Sequence, residues 1–173
     1  MSDSTSDQRP KTQPASAGGP PRPPKKTARG LGDEFPDDCF GPGVNVVDLQ
    51  AQDRWQAIDE LLNHLVDTHK IRARHRESIA AGIRKRELSM STGIGFGVGI
   101  PHASTAFVSD VVAVVGRSKT GIRFDAVDRK PVHLVFLLLV PAGQFQKYVH
   151  VLANLAKLLH RQEFRDGLSD RFM

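Results

Sequence analysis

A chain of 173 residues has room for one domain and an appendage. Its single cysteine, Cys39, excludes an intrachain disulfide and a cysteine-based zinc site. The net charge of +5 is modest, its Arg and Lys residues are scattered without interleaved aromatics, and nucleic-acid binding is not expected.

Residues Met1–Gly32, most of a tail taken as 1–40, are dominated by Ser, Thr, Gln, Pro, Gly and Lys, including Pro20, Pro21, Pro23 and Pro24. Such a stretch buries too little apolar surface to offset the entropy of ordering it, so a disordered tail is predicted there. Six Lys or Arg balance six Asp or Glu within it, which leaves the basic excess to a domain over 41–173. The tail has no apolar run of the secretory type.

The folded part is expected to begin near Val44. From Asp53, a plausible N-cap, the residues Trp55, Ile58, Leu61, Leu62, Leu65 and Val66 recur with helical period. A second, weaker helix is predicted from about Arg74 to Arg86, with Ile79, Ala80 and Ile83 as its apolar stripe. The period then changes. Glycine occupies every second position from Gly93 to Gly99, separated by Ile94, Phe96 and Val98, which reads as an extended segment with close backbone approach or a sharp bend.

Asp110–Gly116 and Val132–Val140 are near-continuous apolar runs rich in β-branched residues, as buried strands are. The piece Ser118–Pro131 between them suits a hairpin-like excursion. Phe145–His160 returns to helical spacing through Val149, Leu152, Leu155, Ala156 and Leu159. The alternation predicts an α/β domain: a mixed β-sheet flanked by helices on both faces. The longest apolar run, Val132–Pro141, is about half a membrane span, so no membrane insertion and a cytoplasmic place are expected.

Three features bear on chemistry. Gly97-Val-Gly-Ile-Pro-His102 holds a histidine behind a proline that forces its predecessor into extended backbone. Glycines allow backbone N–H groups to approach an oxyanion, and Ser91 and Thr92 add hydroxyl donors. No nucleotide-binding signature accompanies them. His150 lies at the edge of the last helix's apolar face, and Arg84-Lys-Arg86-Glu87 closes the second helix. Taken singly, each has a plainer reading as a surface histidine, a packed histidine or a solvated helix end. His64 and His69 are five apart, which does not suit a pair of metal ligands, and no metal is suggested.

Together, Arg86-Glu87, Ser91-Thr-Gly-Ile-Gly95, Gly97–His102, the strand Pro131–Pro141 and His150 resemble the enzyme IIA domain of the fructose, mannitol and nitrogen-regulatory class in the bacterial phosphoenolpyruvate-dependent sugar phosphotransferase system. The resemblance covers roughly Val44 to Leu168. It implies that His102 accepts a phosphoryl group, that His150 orients or hydrogen-bonds the phosphohistidine, and that Arg86 supplies positive charge to the phosphoryl oxygens. The implied partners are a histidine phosphocarrier protein as donor, and a IIB domain or a regulatory protein as recipient, with no cofactor. Two roles stay open, transport and regulation, beside a third as a non-phosphorylated binding module. The family normally continues with another helix beyond the Glu163–Leu168 stretch, and this sequence stops at Met173.

Overall fold

A computed structural model describes residues 46–164. The tail expected over 1–40 and the last residues, 165–173, lie outside the described residues.

Strand β1 (Val46–Asp48) leads into helix α1 (Arg54–Asp67). Asp53 caps that helix as its sequence position suggests, accepting from the backbone N–H groups of Trp55 and Gln56. A 3₁₀ turn (Ala73–His75) precedes α2 (Arg76–Ser89), so the second helix starts later and runs longer than the weak apolar stripe predicts. The glycine-rich stretch is two short strands, β2 (Gly93–Gly95) and β3 (Val98–Gly99), folded back on each other. Gly95, Phe96 and Gly97 all have positive φ at that turn, which is where glycine's freedom is needed.

After β4 (His102–Thr105) come the long strands β5 (Val112–Ile122) and β6 (Val132–Pro141), and then α3 (Phe145–His160). β5 extends well past Gly116, into the piece expected to be an excursion. Its register with β6 shifts between Arg117 and Ile122, it pairs again through Ile122 and Val132, and residues 123–131 form the connection.

The sheet has six strands, with β1 parallel to β5, β5 antiparallel to β6, and β3 and β4 both parallel to β6. Ile100 and Pro101 separate β3 from β4. Pro101 has no N–H for the ladder, although its carbonyl still accepts from Leu138 N–H at 3.0 Å. β6 is buried on both faces with period two. Val135, Leu137 and Leu139 join the core built with α1 and α2, while Leu134, Phe136 and Leu138 pack with Val151, Leu155 and Leu159 of α3. Helices on both faces thus sandwich a mixed sheet.

Candidate functional site

His102 opens β4, directly opposite Leu138 of β6, so the two side chains share the sheet face that α3 covers. Pro101 before it and the β6 ladder beside it leave the histidine little freedom. His102 is buried, at 7% exposure. Its Nδ1 lies 2.7 Å from the carbonyl oxygen of Ile100. A carbonyl only accepts, so Nδ1 carries the proton and Nε2 the lone pair. Burial holds His102 below the ordinary histidine value of 6.5. The Ile100 carbonyl pulls the other way, Arg86 adds to the lowering and Glu87 opposes it. The ring is therefore neutral near pH 7, with the tautomer a nucleophile needs.

A cavity of about 380 Å³ borders this histidine, lined by Arg86 and Gly82 of α2, Ala103 and Ser104 of β4, Pro141 at the end of β6 and Gln144 after it. β4 pairs only with β6 among the described residues, so the cavity lies at the sheet edge. Gly82 of α2 faces Ala103 there, and a Cβ at that position would meet Ala103 Cβ in ordinary contact at 3.7 Å. Arg86 stands in the last turn of α2, where a cation complements the helix dipole. It donates through Nη1 to the carbonyl of Met90 at 2.9 Å.

The structure therefore brings His102 and Arg86 to one cavity. His150 is on the helix that packs on His102's face, but it is exposed and is not among the residues lining the cavity. Its Nε2 lies 3.0 Å from Nδ2 of Asn154, the amide donating to the ring. Ser91 and Thr92 have other commitments. Ser91 Oγ donates to the Phe124 carbonyl at 3.0 Å. Thr92 is buried and gives both its backbone N–H (3.0 Å) and its hydroxyl (2.6 Å) to the carboxylate of Glu87. In this structure the Ser91 hydroxyl proton is held by the Phe124 carbonyl and that of Thr92 by the Glu87 carboxylate.

Glu87 received no role from sequence reasoning, yet it is 1% exposed. The signal was available: Ile79, Ile83 and Glu87 continue one helical stripe, so this carboxylate falls where the apolar face points inward. Arg54 lies 3.7 Å from it. Among the described residues, no group of three or more His, Cys, Asp or Glu is arranged to hold a metal ion. No helix there is long and apolar enough to cross a membrane.

The family model described as "Phosphoenolpyruvate-dependent sugar phosphotransferase system, EIIA 2" matches residues 42–171. A "PTS system fructose-specific EIIA component" of Haloferax volcanii is 38% identical over 112 residues, covering 65% of this chain and 71% of that protein. A "Nitrogen regulatory protein" of Bradyrhizobium diazoefficiens is 29% identical over 131 residues, covering 76% of this chain and 84% of that one. Among solved structures, nitrogen regulatory protein IIA-Ntr from Neisseria meningitidis aligns with a TM-score of 0.64 at 28% identity, covering 80% of this chain and 89% of that one.

Proposed function

This chain belongs to the EIIA 2 family of the phosphoenolpyruvate-dependent sugar phosphotransferase system, and from that premise we propose that it carries a phosphoryl group on Nε2 of His102. One observation bears most of the weight: a buried imidazole with its proton fixed on Nδ1 by Ile100, beside a cavity that it shares with Arg86.

Phosphoryl transfer asks a protein mainly for position and charge. The Nε2 lone pair attacks phosphorus in line with the departing nitrogen of a donor phosphohistidine. A new P–N bond forms as the donor's P–N bond breaks, and its electron pair returns to the donor ring. No proton needs to move, because Nδ1–H of His102 stays on Ile100. The Arg86 guanidinium meets the equatorial oxygens with a permanent charge and a planar fork. His150 hydrogen-bonds the phosphorylated form, and Ser91 and Thr92 hold the loop rather than the phosphate. The donor is a histidine phosphocarrier protein and the recipient a IIB component, with the exchange taking place in the cytoplasm.

A second reading, regulation by phosphorylation state, draws on the nitrogen regulatory relatives, which align along most of their own length. In that reading the chemistry at His102 is unchanged and the recipient is a regulatory protein.

The test is labelling from radioactive phosphoenolpyruvate with enzyme I and the histidine phosphocarrier, comparing wild type with His102→Ala. Acid-labile, base-stable label on the wild type alone is expected. An unlabelled but folded wild type would remove the phosphocarrier reading. Addition of a IIB component then separates the two roles: loss of label to it marks transport.

A further inference from the structure

The end of α2 holds two charged neighbours that turn different ways: Arg86 lines the cavity, and Glu87 is buried at 1% exposure. A carboxylate in the last turn of a helix opposes the helix dipole, and its burial adds a desolvation cost. Something must offset both. Arg54 of α1 supplies partial charge balance at 3.7 Å and also pairs with Asp125 at 3.2 Å. Thr92 supplies two donors, the shorter at 2.6 Å.

Those two bonds are the first links of a chain that ends at His102. The Thr92 carbonyl accepts the N–H of Ile100 at 3.0 Å. The Ile100 carbonyl in turn accepts Nδ1–H of His102 at 2.7 Å. Glu87 thus anchors Thr92, Thr92 anchors Ile100, and Ile100 selects the tautomer. We infer that Glu87 is a positioning residue for His102, setting through Thr92 and Ile100 the orientation and the tautomer that present Nε2 to the cavity.

The assignment rests on the phosphocarrier reading for its purpose but not for its geometry. Because Glu87 follows Arg86 directly, one helix end places both the guanidinium and, through this chain, the imidazole. A shift of α2 would move both together. Among the described residues, the charged groups bearing on His102 are Arg86 and Glu87, both from α2, and the one beside Glu87 from another element is Arg54 of α1, itself paired with Asp125 after β5.

The experiment is nitrogen-15 NMR of His102 in the full chain, titrated with pH, for wild type, Glu87→Gln, Thr92→Val and Thr92→Ser. Glutamine keeps the volume and can still accept the Thr92 N–H, but it removes the charge. Glu87→Gln is expected to reduce the Nδ1–H share of the tautomer. It should also lower the pH at which His102 titrates, since Glu87 normally favours the charged ring. Phosphotransfer should slow roughly tenfold, the size expected for one lost charge-assisted hydrogen bond. Thr92→Val should shift the tautomer in the same direction, and Thr92→Ser should restore it.

A folded Glu87→Gln protein whose His102 shifts and titration match wild type would overturn the inference and leave Glu87 as a packing group. If Glu87→Gln does not fold, Thr92→Val is read by the same criterion. Failure of the wild type to accept phosphate would sink the phosphocarrier reading instead, and the nitrogen shifts would still decide this one.

Discussion

His102 donates Nδ1–H to the carbonyl of Ile100, only two residues earlier, at 2.7 Å. Pro101 stands between them and keeps the backbone extended, so a local contact decides which ring nitrogen is the nucleophile. The chemistry expected of this site follows from that single bond and from its surroundings.

The pH dependence has a definite sign. Burial, reinforced by Arg86, keeps His102 below 6.5, against the pull of Ile100 and Glu87. Phosphoryl acceptance should therefore stay level as pH drops from 8 to 6.5 and decline only further into acid. Stability follows the same rule: below 6.5 the unfolded chain takes up the proton before the folded one does. The contribution is full above 6.5 and is lost as pH falls through the depressed folded value. Urea midpoints of wild type and His102→Gln, compared between pH 7.5 and 5, should show the wild type losing more.

Arg86→Ala should slow phosphoryl acceptance about a hundredfold, the scale for removing one preorganised stabiliser of transition-state charge. Arg86→Lys should recover part of this, because it restores charge without the fork. The thermal midpoint should change little, since the side chain is only partly buried and loses one bond to Met90.

His150→Ala separates contact with the phosphate from orientation of the nucleophile. Its ring is exposed and bonds to Asn154. The substitution should leave the His102 tautomer and titration unchanged by NMR, while speeding hydrolysis of the phosphorylated protein. Unaltered hydrolysis would remove His150 from the site.

Gly93→Ala tests the glycine-rich stretch. A Cβ at Gly93 would stand 2.7 Å from the Cα of Ala126, a backbone atom that cannot swing aside. The cost should be about 1–3 kcal/mol by thermal or chemical unfolding. Gly116→Ala also meets a close neighbour, but there it is the Leu49 side chain, which can rotate. The Gly93 variant should be the less stable of the two.

Much of this protein was legible from sequence because its signals are local. The apolar period from Trp55 to Val66 and the capping Asp53 mark α1, and Phe145–His160 is the last helix to the residue. Buried strands read as apolar runs, and β6 was found that way. The motif around Pro101 singled out His102, because proline and glycine constrain backbone wherever they occur.

What the sequence left open depends on residues far apart in the chain. The length of β5 beyond Gly116 is set by pairing with β6, not by its own composition, which turns polar at Arg117. The second helix's start and end were blurred because its apolar stripe is short and ends in a buried glutamate. Ser91 and Thr92 looked like phosphate donors as residue types. Packing instead delivered the Phe124 carbonyl and the Glu87 carboxylate to them.

Hydrogen-bond partners of a hydroxyl cannot be read from spacing, because any acceptor brought within about 3 Å will serve. Local sequence signals marked the long helices, β6 and the fold class, and they drew attention to His102 as the expected phosphoryl acceptor. Packing decided which distant groups come near it, Arg86 beside the same cavity and Glu87 beneath Thr92, since a buried polar group takes whatever partner the packing supplies.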